Sequence, residues 1–226
     1  DDVESRGLGD VYKRQDLDGV IADTSTLHFE AWKKLTDNYF SAKLPSDLEE
    51  KTKGVSRADS LKVILNYLEV SVSENMFQQL LFEKNEQYKE SLKQLSPDNI
   101  LPGVATFISE LKQQKVKLAL ASSSLNGPLI LEKLTLAEKF DAIVDPSKVE
   151  NGKPAPDIFI AAAQSLNLQP SECIGIEDSI AGLKAIKESG AFSVAIGTNS
   201  DLKTADLHLS TTAELTFAAV RTAYHQ

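Results

Sequence analysis

The chain has 226 residues, 42% hydrophobic and 25% charged, an ordinary globular mixture with ample material for a core. Its net charge of −9 and pI near 4.9 argue against a phosphate-backbone partner such as nucleic acid. Runs such as Val116 to Ala121 suit buried strands and fall far short of a membrane span, and the single Cys173 excludes an intrachain disulfide. A cytoplasmic protein with no membrane partner is the expectation.

Taken in chain order, the first fifteen residues are polar and carry neither an initiating Met nor a secretory apolar core. Only Val11 and Tyr12 look strand-like, and Lys13, Arg14 and Gln15 follow them where a buried strand should lead into Asp16. The stretch reads as an expression or sequence-assembly remnant in place of a native start. Asp16-Leu17-Asp18-Gly19-Val20 then sets two carboxylates two residues apart, which on an extended segment share one side. From Leu27 to about Leu95 the pattern is helical. Ser56-Arg57-Ala58-Asp59 resembles a capping box ahead of Leu61, Ile64, Leu65 and Leu68, and Phe77, Leu80, Leu81 and Tyr88 continue a second face.

After Pro102-Gly103 the pattern alternates. A helix stripe (Val104, Phe107, Ile108, Leu111) precedes a strand at Val116 to Ala121 and a helix near Leu129 to Leu134. A strand at Ala142 to Val144, a helix from Asp157 to Leu166 and a strand at Cys173 to Ile176 follow. A helix from Ile180 to Glu188 and a strand at Phe192 to Ile196 complete the series. Such alternation predicts an α/β fold, a doubly wound parallel sheet interrupted after its first strand by a helical block.

Several motif readings fail on spacing. A calcium loop starting at Asp16 needs Gly and Glu where Ile21 and Leu27 stand. Gly7-Leu8-Gly9 has Tyr12 in place of the third glycine of a dinucleotide fingerprint, and Gly152-Lys153 is followed by Pro154 where a P-loop needs Ser or Thr. Three other segments lie at or just beyond predicted strand ends, the edge where open parallel sheets bind ligands. They are Ser122-Ser123-Ser124, Lys153-Pro154-Ala155-Pro156-Asp157 and Glu177-Asp178-Ser179. Singly, each has an ordinary reading as a loop, a solvated lysine or a helix cap. Together with the Asp16/Asp18 pair they supply what phosphoryl transfer through an aspartate requires.

In these motifs, from Asp16 nearly to the C-terminus, the chain resembles the haloacid dehalogenase superfamily and, within it, the β-phosphoglucomutases. Asp16 to Val20, Ser122, Lys153 and Glu177-Asp178 are similar to the four core motifs; Thr24, His28, Trp32, Lys53-Gly54-Val55-Ser56-Arg57 and Ser60 resemble the cap. The resemblance implies a Rossmann-like core domain (1–23 and 96–226) with an inserted α-helical cap domain (24–95). It implies an isomerase exchanging β-glucose 1-phosphate and glucose 6-phosphate through glucose 1,6-bisphosphate, as a monomer.

The roles it implies are specific. Asp16 is the nucleophile that becomes an aspartyl phosphate, and Asp18 is the general acid and base. Mg²⁺ is held by Asp16, Asp178 and the Asp18 carbonyl, with Glu177 supporting. Ser122, Ser123 and Lys153 bind the transferring phosphate; Arg57, Ser124 and Asn126 bind the distant one. Lys84 joins the cap residues that meet substrate, and His28 couples closure to binding. Leu125 departs from the pattern, standing where these mutases commonly carry a lysine. Two other readings stay open: a sugar-phosphate phosphatase with the same nucleophile, and a phosphoryl-accepting receiver domain.

Overall fold

The computed structural model describes residues 20–226 and the backbone of β1 (Tyr12–Gln15). Residues 1–11 and 16–19 lie outside the described residues, and with them Asp16 and Asp18. The remaining elements begin with the helical block of α1 (Ser25–Phe40), α2 (Asp47–Thr52), α3 (Arg57–Tyr67) and α4 (Glu74–Leu92). Then come α5 (Val104–Gln113), β2 (Leu118–Leu120), α6 (Gly127–Lys133), β3 (Ala142–Ile143) and α7 (Asp157–Ser165). The chain closes with β4 (Cys173–Glu177), α8 (Ile180–Ser189), β5 (Phe192–Ile196), β6 (Leu207–Leu209) and α9 (Phe217–Tyr224).

Among the described residues the strands form one parallel sheet in the order β3-β2-β1-β4-β5-β6. The chain winds outward on one side through β2 and β3, then returns past β1 to wind outward through β4, β5 and β6. The order therefore reverses at β1 and β4, the crevice where doubly wound sheets take ligands. Gln15 ends β1 in register with Leu120 and Ile176, so three strands finish side by side at that edge.

β1 is where apolar patterning misleads. Its backbone is central, paired to β2 on one side and to β4 on the other, although its sequence is YKRQ. The two neighbours are wholly buried strands whose inward backbone groups need partners, and a ladder supplies those whatever side chains the middle strand carries. The pattern also stops too early in the sequence: β6 and α9 follow β5. Both present weak signals, because β6 has only three residues at the sheet edge and α9 buries just Val220 fully.

Two apolar layers cover the sheet. Val104, Phe107, Ile108 and Leu111 of α5 pack with Leu118, Leu120, Ile174, Ile176, Val194 and Ile196 on one layer. Ile158, Phe159, Ala162 and Ala163 of α7 pack with Ala119, Ala121, Ala185 and Ile186 on the other. The helical block has a separate cluster around Phe29, Trp32, Leu35, Leu61, Ile64 and Leu80. Its α3 starts on the capping residue read from the sequence, with the Ser56 hydroxyl accepting from Asp59 N at 3.1 Å. Chain exit and return lie side by side. Ala22 forms an antiparallel bridge to Ile100, and Leu101 N donates to Ile21 O at 2.9 Å.

No helix among the described residues is long and apolar enough to cross a membrane.

Candidate active site

The geometry is built outward from β4. Its last residue, Glu177, and the following Asp178 stand at the sheet edge beside the ends of β1 and β2, and both are buried. Ser179 serves two purposes: its Oγ accepts from Gly182 N at 3.0 Å as the N-cap of α8, and its hydroxyl donates to Glu177 Oε1 at 2.7 Å. The helix cap and the acidic pair expected of this segment thus coexist. The Glu177 side chain lies over the first turn of α8, where Gly182 leaves room for it. A Cβ on Gly182 would fall 1.7 Å from Glu177 Oε1.

Lys153 reaches the same carboxylate from the loop before α7. Its Nζ is 3.3 Å from Glu177 Oε1 with both side chains 0% exposed, and it also sits 5.0 Å above the Phe159 ring. The loop is anchored through Asn151, whose N and Nδ2 each donate to Asp157 Oδ1 at 3.1 Å. From β2 comes a ladder of short polar residues. Ser124 N donates to Ser122 Oγ at 3.0 Å, and Asn126 N donates to Ser124 Oγ at 3.2 Å. Ser122 is 2% exposed and Asn126 7%.

The segment Lys53 to Arg57 of the helical block rests on these strand ends. Lys53 Nζ stands 2.8 Å from Asp178 Oδ2. Burial works against the ammonium of Lys53, but the Asp178 carboxylate outweighs it and raises the pKa. Ser123 Oγ donates to Gly54 O at 2.9 Å. Gly54 has a φ of 75° and no room for a side chain: a Cβ there would lie 2.1 Å from Ser179 Oγ.

Between the block and the strand ends opens a cavity of about 290 Å³. Its lining includes His28, Trp32, Lys53, Gly54, Val55, Ser56, Arg57, Ser60, Lys84, Ser123 and Ser124, all expected from the sequence. Leu125 also lines it, 55% exposed. Thr24, Ser122, Asn126, Lys153, Glu177 and Asp178 are not in its wall. Thr24 is buried as the residue preceding α1, and Asn126 turns its Nδ2 to Asn85 Oδ1 of α4 at 3.0 Å. Arg57 Nη1 donates to Leu81 O at 3.5 Å, and burial lowers its pKa against the opposing pull of Glu86.

Sequence reasoning overlooked Phe29, Glu49 and Leu81 in the lining. A signal was present for Phe29: Ser25, His28, Phe29 and Trp32 recur at the three-and-four spacing of one helix face. Glu49 is a carboxyl at the cavity whose pKa burial raises, with Lys33 and Lys53 opposing.

Lys84 is 1% exposed and has Trp32 and Tyr88 rings 5.0 and 4.8 Å from its Nζ. That ammonium donates to His28 Nδ1, and the His28 ring stacks on Tyr88 with centroids 3.7 Å apart. Burial first, then Lys84 and Arg57, push the imidazole pKa well below its usual value, so His28 is neutral with its ring proton on Nε2. The sign of the linkage follows. A folded pKa below the unfolded value of about 6.5 leaves stability intact above that pH and removes it as pH falls beneath. His28→Gln is accordingly expected to flatten the decline of the melting temperature between about pH 6.5 and pH 5, measured by thermal unfolding across that range.

Glu177 and Asp178 offer hard carboxylate oxygens, the donor type that a divalent cation such as Mg²⁺ or Ca²⁺ takes. They adjoin two ammonium groups able to hold an anion next to that cation, so the donor set fits a metal-assisted phosphoryl site. Among the described residues no group of three or more His, Cys, Asp or Glu comes together as a metal cluster; the further oxygens expected here belong to Asp16 and Asp18.

Comparison with known proteins gives a consistent picture. Residues 15–196 match the family described as haloacid dehalogenase-like hydrolase. The chain is 39% identical over 213 residues to the β-phosphoglucomutase of Bacillus subtilis (strain 168), covering 93% of this chain and 94% of that protein. It is 33% identical over 178 residues to a phosphorylated carbohydrates phosphatase of Thermotoga maritima, covering 77% and 79%. The crystal structure of a β-phosphoglucomutase from Clostridium difficile superposes with a TM-score of 0.91 at 36% identity, covering 95% of this chain and 96% of that one.

Proposed function

The chain belongs to the haloacid dehalogenase-like hydrolases, and from that premise we propose that it is a β-phosphoglucomutase. It interconverts β-D-glucose 1-phosphate and glucose 6-phosphate through β-glucose 1,6-bisphosphate and an aspartyl phosphate on Asp16. One observation carries the reading: paired acids and ammonium groups at the strand ends adjoin a cavity that has its own cations, Arg57 and Lys84. A sugar bearing two phosphates needs two such places.

The division into a core (1–23 and 96–226) and a cap (24–95) fits this reading, as do a monomeric state and a cytoplasmic location. Mg²⁺ is the cation we assign, held by Asp16, Asp178 and the Asp18 carbonyl with Glu177 close by. When bound, it neutralises charge between the nucleophile and the phosphoryl oxygens. Asp16 attacks phosphorus while Lys153 and Ser122, with Ser123 beside them, hold the equatorial oxygens that carry charge in the transition state. Asp18 protonates the departing sugar oxygen and takes the proton from the incoming hydroxyl. Arg57, Ser124 and Asn126 retain the other phosphate, so the bisphosphate can turn and present its second end. His28, Trp32, Val55, Ser56 and Ser60 shape the sugar's surroundings, and Thr24 precedes the helix that carries the first two.

Water must be kept out, because it competes for the aspartyl phosphate. Gly54 lies in close contact with Ser179 in the seated cap, so Gly54→Ala is expected to hold the cap off its seat. Mutase turnover should fall by about 10²-fold and phosphate release per turnover should rise, measured by coupled assays for glucose 6-phosphate and orthophosphate.

Phosphorus NMR with β-glucose 1-phosphate and catalytic glucose 1,6-bisphosphate tests the proposal. Conversion to glucose 6-phosphate is expected; predominant orthophosphate would favour the second reading, a sugar-phosphate phosphatase. Leu125 is the observation on that side, since it places an exposed apolar side chain in the cavity where the resemblance calls for a cation.

A further inference from the structure

The contact between Asn85 and Asn126 points to a positioning residue for this site, and the inference rests on the phosphotransfer reading above. We propose that Asn85 is a latch: by accepting from Asn126 Nδ2 it ties α4 of the helical block to the loop after β2 and keeps the closed site dry.

Three observations support this. First, the bond spans two parts of the fold, its partners 41 positions apart, and Asn126 is 7% exposed. A buried amide gains most from a fixed partner, because its alternatives to that bond are few. Second, the residues beside the latch face the cavity while the latch does not. Lys84 precedes Asn85, Ser124 and Leu125 precede Asn126, and all three line the cavity. The bond thus closes the wall from behind. Third, Asn126 is the last rung of the ladder running from Ser122 through Ser124, so holding its side chain steadies the whole phosphate-binding turn.

The block is fastened elsewhere by Lys53 to Asp178 and by Ser123 to Gly54. Those fastenings use residues assigned above to the reacting site itself. Asn85 has no place in the cavity wall, and its bond takes one of the two Nδ2 protons of Asn126, leaving the other for the distant phosphate assigned to that residue above.

With the latch released, water has access to the aspartyl phosphate. Its oxygen bonds to phosphorus as the P–O bond to Asp16 breaks, and Asp16 keeps the electron pair as carboxylate. One water proton stays on the orthophosphate and the other passes to solvent.

The test compares wild type, Asn85→Ala and Asn85→Asp by two measurements. Amide hydrogen exchange at residues 53–57 and 122–126 reads cap opening without any substrate. Orthophosphate released per glucose 6-phosphate formed reads the leak. Asn85→Ala is expected to raise both about fivefold, the size of one net hydrogen bond, with exchange in α5, α7 and α8 unchanged. Asn85→Asp keeps an acceptor oxygen facing Nδ2 and should return exchange to within about twofold of wild type. Unchanged exchange in Asn85→Ala overturns the latch, as does a rise spread evenly through the core helices, or an Asp variant as open as the Ala one. If wild type forms no glucose 6-phosphate, the mutase reading fails, and the exchange comparison still decides the latch.

Discussion

Lys153→Met is expected to unfold at markedly lower denaturant and to lose nearly all turnover. Lys153 and Glu177 are a wholly buried ion pair, and removing one member of such a pair leaves a charge in a medium that solvates it poorly. The expected loss is about 3–5 kcal/mol, read from the urea midpoint at constant m-value. Turnover should drop by about 10²–10³-fold, because the same ammonium is a preorganised charge for the transferring phosphoryl group. The two effects separate in the double variant Lys153→Met/Glu177→Gln. Neutralising the carboxylate should restore about half of the lost stability while turnover stays low. A double variant as unstable as the single one would show that packing, and not charge, dominates at this position.

Gly182→Ala should do the opposite to the helix and the site. Alanine favours helix over glycine, by at most about 1 kcal/mol in the first turn of α8 where Gly182 stands. Yet its methyl group would lie 1.7 Å from Glu177 Oε1, 2.1 Å from Cδ and 2.3 Å from Cγ, so the Glu177 side chain has to leave its place. The acid would part from Lys153 and from the Ser179 hydroxyl together. The Mg²⁺ concentration needed for half-maximal activity is expected to rise about 10–100-fold, as when groups supporting a metal site are disturbed. The signature is that shift in Mg²⁺ dependence, beside a fall in melting temperature from the parted Lys153–Glu177 pair. Unaltered Mg²⁺ dependence would mean that Glu177 does not support the cation.

Much of this arrangement was legible in the sequence, and the physics explains which parts. The α5 stripe reads correctly because all four of its apolar residues are buried at helical spacing. β4 reads correctly over residues 173–176 because a strand covered on both faces carries no polar alternation, and Ser56 because a side-chain cap is a local bond. Glu177, Asp178, Lys153 and the serines after β2 were readable as neighbours because a parallel sheet gathers its strand ends at one edge. β1 was not readable, since its central place rests on backbone pairing with two neighbours far along the chain. Nor were Lys53 with Asp178 or Asn85 with Asn126. Each joins residues from different parts of the fold, and spacing along the chain carries no trace of such a meeting.

The bridge between Ala22 and Ile100, with Leu101 bonded to Ile21, has a mechanical consequence. Both covalent connections of the helical block pass through a single point, so the block has one pivot, and its swing is resisted by the contacts of Lys53, Gly54 and Asn85 with the core. Small changes in backbone angle there move Lys53 and Asn85 relative to their partners in the core. The stiffness of a few residues beside that pivot therefore joins those contacts in setting how often the enzyme exposes its interior.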